Sequence, residues 1–235
     1  MSLDRPPVSL DRPPRGLLLD MDGTLVDTER LWFLAEQAAV ARFGGALPAS
    51  AEPSLTGLDT DTLVERLRTG YAADATPAAL RAAIFEAVGT LLANAPACPG
   101  AGALVDVALR RGVRCAVVSN SPAAFVRESL APHAWAGPLT LRVSADDARR
   151  PKPAPDLYLL ALERLGLAAG DCVAVEDSPT GARAAIAAGL TCLGVAADAG
   201  QRGALRRHTP HVVASLDEAR RWLALDGAPA SPTPP

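Results

Sequence analysis

"GLLLDMDGTLVD", residues 16–27, decides how this chain is read. Residues 16–19 form a short apolar run, and acids follow at once. A strand covered on both faces of a parallel sheet reads as a continuous apolar stretch. In an extended segment residues i and i+2 point the same way. Asp20 and Asp22 therefore share one face where the strand leaves the core.

Working outward, the same pattern recurs in "GVRCAVVSN", "DCVAVEDS", "LTCLGVA" and "HVVASL". Helical patterns such as "PAAFVRESLA", "PDLYLLALERLG" and "PTGARAAIAAG" separate these runs. Apolar strands alternating with helices predict an α/β, doubly wound, Rossmann-like parallel sheet whose ligands bind at the carboxyl ends of the strands. Residues 28–98 break the rhythm with helix patterns alone, including "TERLWFLAEQAAVARFG" and "TPAALRAAIFEAVGTLLANA". The spacing of Leu31, Leu34, Ala35, Ala38 and Ala39 is helical. The expected organisation is a core of residues 15–27 plus 99–226 and an inserted helical domain over 28–98. Residues 1–14, with "SLDRPP" twice, and 227–235 are rich in proline and read as disordered tails.

At 235 residues the chain can bury a sizeable core. No stretch is apolar enough to span a bilayer, and no secretory signal is visible at the start. A net charge of -3 offers no general attraction to nucleic acid or an acidic membrane. The four cysteines form no CxxC pair and are expected as free thiols in a reducing cytoplasm.

The third run ends in Glu176-Asp177. Carboxylates gathered at neighbouring strand ends are costly unless a cation joins them, and oxygen-only ligands favour Mg²⁺. Asp177 could instead cap the next helix, with Pro179 in its first turn. The second run ends in Ser119-Asn120-Ser121-Pro122. Ser121 and Pro122 fit an N-cap and a first helical residue, while Ser119 and the next backbone N–H could hold a phosphate oxygen. Lys152 is the only lysine in a chain whose other 22 basic residues are arginine. It is a compact point charge where a planar fork would be the default.

These residues resemble a family. "DMDGTLVD" matches DxDGTLxD, the first motif of the haloacid dehalogenase superfamily, and "VVSN" is similar to its second. "KPAPDLY" resembles the third, and "VEDSPTGARAAIAAG" the fourth. The helical insert resembles the small cap of the β-phosphoglucomutase and sugar-phosphatase branch. The resemblance implies Asp20 as nucleophile, Asp22 as general acid and base, Ser119 at the phosphoryl oxygens and Lys152 beside the transferring group. It implies Mg²⁺ held by Asp20, the Asp22 carbonyl and Asp177, with Glu176 supporting or ligating. Gly23, Thr24, Asn120 and Gly57 are the expected substrate-side residues.

Asp22 argues against dehalogenation, because the family's dehalogenases lack that second aspartate. In the expected specificity loop, residues 54–63, Leu58 and Asp59 follow Gly57, and no basic residue comes before Arg66. β-Phosphoglucomutases carry a basic residue there for a second phosphate. The resemblance therefore implies a Mg²⁺ phosphatase acting on a small phosphorylated metabolite, a sugar or polyol phosphate, and the chain is expected to be a cytoplasmic monomer. A phosphomutase is the alternative, and an inactive binding protein on the same fold is a more distant one.

Overall fold

The computed structural model describes residues 10–55, 58 and 60–226. The first half runs β1 (Gly16–Leu19), α1 (Glu29–Arg42), α2 (Glu52–Leu55), α3 (Thr60–Tyr71), α4 (Pro77–Leu92), α5 (Ala101–Arg110) and β2 (Arg114–Val118). The second runs α6 (Ala123–Leu130), β3 (Arg142–Val143), α7 (Asp156–Leu165), β4 (Cys172–Glu176), α8 (Pro179–Ala187), β5 (Thr191–Val195), α9 (Ala199–Leu205), β6 (Val212–Val213) and α10 (Leu216–Trp222).

The chain divides into two compact units, one of residues up to Val26 and from Ala97 on, the other Asp27–Pro96. The first unit holds a sheet in the order β3-β2-β1-β4-β5-β6, parallel throughout. The five apolar runs read from sequence became β1, β2, β4, β5 and β6. β3 was not legible, being only two residues long on the sheet edge. β1 is completely buried, as the run "GLLL" requires. Leu19 lies opposite both Val117 and Val175. That register brings the ends of β1, β2 and β4 to one edge. The chain fills one side of β1 before crossing to the other, so the switch point where ligands bind an open sheet falls between β1 and β4.

The second unit packs its own core from residues including Phe33, Val40, Leu67, Leu80 and Ile84. In α4, Thr76 caps the first turn by accepting from the Ala79 N–H at 3.2 Å, with Pro77 following it. α1 is helical as its spacing predicts, but its inner face is shifted. Leu34 and Ala38 are exposed, and Phe33, Ala35, Glu36, Ala39 and Val40 are buried. An acid, Glu36, thus occupies a position the sequence pattern would not assign to one.

Of the expected tails, residues 1–9 and 227–235 lie outside the described residues. Residues 10–14 are described, and the Leu10 N–H donates to the carbonyl of Trp222 at 2.8 Å. All four cysteines are free, and Cys115, Cys172 and Cys192 are buried. Burial raises the Cys115 thiol to about 12 and the Cys172 thiol to about 11, which keeps both protonated and unreactive. Among the described residues, no helix is long and apolar enough to cross a membrane.

Candidate active site

Asp20 is the first residue beyond β1, and its N–H donates to the Val175 carbonyl at 3.0 Å, continuing the ladder onto β4. Its carboxylate is therefore delivered beside Glu176 and Asp177. Carboxylate oxygens of Asp20, Glu176 and Asp177 lie within 4.8 Å of one another.

Lys152 enters this cluster from the loop before α7 and is buried. Its ammonium donates to Asp20 Oδ1 at 2.6 Å, to Glu176 Oε1 at 2.7 Å and to the Val118 carbonyl at 2.8 Å. Burial alone would lower its pKa, but Asp20 and Glu176 override this and lift it above the ordinary lysine value. It is a fixed cation. Asn120 holds the lysine's backbone at two points: Oδ1 accepts from the Lys152 N–H at 2.8 Å, and Nδ2 donates to its carbonyl at 3.1 Å. Asn120, expected on the substrate side, is thus bonded to the Lys152 loop.

Glu176 is completely buried. Besides Lys152, its Oε1 accepts from the hydroxyl of Tyr158, and its Oε2 from Ser178 Oγ at 3.4 Å. Burial, then the Glu176 charge, raise Tyr158 well above the usual phenol range, so it remains a donor. A Cβ at Gly181 would sit 1.9 Å from Glu176 Oε2, so only glycine lets α8 start against this carboxylate. The first turn of α8 is capped by Ser178, which accepts from the Gly181 N–H at 3.0 Å. Ser178, rather than Asp177, is therefore the cap, and Asp177 is left to the cluster.

Burial pushes Asp20 up to about 8, against the pull of Lys152 and with help from Glu176 and Asp22. Three carboxyl groups face one ammonium, and the raised Asp20 value means that they do not all ionise against that single cation. An all-oxygen donor set of this kind fits a hard divalent cation such as Mg²⁺.

Asp22 stands on the other side of the turn. Its Oδ2 accepts from Ser119 Oγ and from Ser121 Oγ, both at 2.9 Å. Ser121 does not cap α6 as the sequence suggested. Pro122 occupies the cap position, and the Ala123 N–H is satisfied instead by Asp146 Oδ2 at 2.8 Å. Gly23 has a φ of +77°, and a Cβ there would come within 2.1 Å of Asp177 Oδ2. The turn can pass this close to the carboxylate only because the residue is glycine. Thr24 is buried, and its hydroxyl has no partner among the described residues. Gly57 and Asp59 lie outside the described residues.

The family profile of haloacid dehalogenase-like hydrolases matches residues 14–189. The chain belongs to this family. The haloacid dehalogenase-like hydrolase described here is 34% identical to hexitol phosphatase A of Escherichia coli over 77% of this chain and 83% of that one. It is 33% identical to the fructose-1-phosphate phosphatase YqaB of the same organism, over 76% of this chain and 95% of that one. Among solved structures it resembles CbbY of Rhodobacter sphaeroides in complex with xylulose-(1,5)bisphosphate. That likeness has a TM-score of 0.76 at 26% identity, over 87% of this chain and 96% of that one.

Reading the hydrolase's sequence missed Tyr158, Ser121 and Gly181 as parts of this site. Tyr158 had a signal, closing "KPAPDLY" six residues after Lys152. Gly181 had one too, as the glycine of "VEDSPTGARAAIAAG" five residues after Glu176. Ser121 had none, because Asp22 lies far away in the chain.

Proposed function

We propose that this protein is a Mg²⁺-dependent phosphatase of small phosphate monoesters, sugar or polyol phosphates, acting through an aspartyl-phosphate on Asp20. The observation that carries the proposal is the junction of the Asp20, Glu176 and Asp177 carboxylates with a buried Lys152 at one sheet edge. The named activities of hexitol phosphatase A and YqaB support the substrate class.

Asp20, Asp177 and the Asp22 carbonyl would hold Mg²⁺, with Glu176 supporting. When bound, the cation offsets the repulsion between an anionic nucleophile and an anionic phosphate. A carboxylate oxygen of Asp20 attacks phosphorus, and the bond to the ester oxygen breaks. Asp22, oriented by Ser119 and Ser121, gives its proton to the departing alkoxide. Asp22 then takes a proton from water as that water attacks phosphorus, and the bond to Asp20 breaks, restoring the carboxylate. Lys152 neutralises charge on Asp20 and on the phosphoryl group as it transfers. Ser119 turns its hydroxyl to a phosphoryl oxygen once substrate arrives. The substrate-side roles of Gly23, Thr24 and Gly57 belong to the same proposal, as do action on a free cytoplasmic metabolite and a monomeric state.

Hydrolysis is favoured over a mutase because the nearest basic residues after Gly57 are already engaged within their own unit. Arg66 donates to the Ser54 carbonyl at 3.0 Å, and Arg68 pairs with Glu65 at 2.7 Å. In a screen of sugar and polyol phosphates, Mg²⁺ should support phosphate release and excess chelator should abolish it. Asp20→Asn should fold and be inactive. With β-glucose 1-phosphate and a bisphosphate primer, free phosphate should form with little glucose 6-phosphate. Wild-type rates in Asp20→Asn would overturn the nucleophile, and rapid isomerisation without phosphate release would establish the mutase.

A further inference from the structure

At the opposite edge of the sheet from the acidic cluster, a cavity of about 380 Å³ is lined by Arg12, Arg15, Arg110 and Arg111, with Pro13 and Pro14 forming part of its wall. No acid lines it. Arg15 pairs with Asp171 at 3.2 Å. Among the described residues, the guanidinium groups of Arg12, Arg110 and Arg111 have no hydrogen-bond or ion-pair partner. A cluster of unpaired cations in a chain of net charge -3 is a local reversal of sign.

The two sides of the cavity come from separate parts of the chain, and both are held. Arg110 closes α5, and Arg111 is its C-cap. Basic residues are favoured at a helix C-terminus by the backbone dipole, which accounts for these two alone. It does not account for Arg12. Arg12-Pro13-Pro14 comes from the second "SLDRPP" copy, and its segment is pinned at both ends. Leu10 is bonded to Trp222, while the Arg15 N–H donates to the Asp171 carbonyl at 2.9 Å and the Arg15 carbonyl accepts from the Arg114 N–H at 3.0 Å. Two prolines between those anchors restrict the backbone that carries Arg12. β1 separates Arg15 from Asp20 by about 16 Å at ~3.3 Å per residue, so this is not the catalytic pocket.

Guanidinium forks recognise phosphate through paired hydrogen bonds, and several of them around one hollow suit an anion with more than one phosphate group. The volume lies in the range of small-ligand pockets, about 300–1,000 Å³, larger than a single phosphate needs. We propose that this cavity is a binding site for a small metabolite carrying two or more phosphate groups, separate from the catalytic centre.

Pyrophosphate serves as the probe, titrated calorimetrically into the full chain without Mg²⁺ at low salt. The expected result is saturable binding of one equivalent, weakened at least about tenfold in Arg110→Ala/Arg111→Ala and also in Arg12→Ala, since each loses charge-assisted bonds. Orthophosphate should bind at least about tenfold more weakly than pyrophosphate, having one phosphate group to offer. Asp20→Asn should bind pyrophosphate as the wild type does. Circular dichroism checks that the variants fold, and Arg12→Ala decides the matter if the double variant does not. Absence of saturable binding would overturn the proposal. So would wild-type affinity in the arginine variants, or loss of binding in Asp20→Asn.

Discussion

Lys152 concentrates what the residue scale contributes. Its three donors are all used, on two carboxylates and one carbonyl. A surface lysine would accept arginine with a stability change usually within about 0.5 kcal/mol. This one is buried, and a planar fork cannot meet three acceptors arranged around a point. Lys152→Arg should lower turnover by at least about tenfold, and Lys152→Ala by more, because a lost preorganised charge contact at a developing anion costs on the order of 100- to 1000-fold. Steady-state kinetics checks this, and wild-type turnover in Lys152→Arg would contradict it. The importance of Lys152 was visible in the sequence because composition made it an exception. The role of Ser121 was not, since it follows from a neighbour that only the folded sheet supplies. Ser121 reads as a helix cap by every local rule, and it is Asp22, reached across the sheet edge, that claims its hydroxyl.

At the scale of the element, runs long enough to carry a pattern were legible and short ones were not. β1, β2, β4 and β5 announce themselves as unbroken apolar stretches ending in polar residues. β3, two residues paired to β2, has no room for any periodicity. α1 shows a further limit: the helix was readable, but its inward face was off, because the pattern gives Glu36 no reason to be inside. Burial, with the Glu52 charge added, raises Glu36 to about 7. The folded state thus holds this proton more tightly than the unfolded chain does. The associated stability is present below about pH 4.5, is lost as pH rises to about 7, and stays lost above it. Glu36→Gln should flatten that slope and raise stability at pH 8 by on the order of 2 kcal/mol. Urea midpoints of the two proteins at pH 5 and pH 8 check it, and parallel pH slopes would contradict it.

At the scale of the whole molecule, the sheet order and register place the ends of β1 and β4 side by side, and with them more carboxyl groups than one lysine balances. A divalent cation that binds only the folded protein should therefore stabilise it by mass action, about 2.7 kcal/mol at one hundred times its dissociation constant. Thermal melts should shift upward with Mg²⁺ in the wild type and much less in Asp177→Asn. Equal shifts would place the cation elsewhere. The sheet order has one more consequence, for the time course of synthesis. β1 is made before the other strands of the sheet, yet its partners are residues 114–117 and 172–175. The inserted unit, with local contacts and its own core, can condense while β1 still has no neighbour. Bringing distant strands together carries an entropic cost that local contacts avoid, and it slows folding. The nascent chain therefore holds an unpaired "GLLL" strand until residues 114–117 have been made, and unpaired strand edges are exposed to aggregation. Of the sheet's strands, the one at its centre is made first and waits longest for its first neighbour.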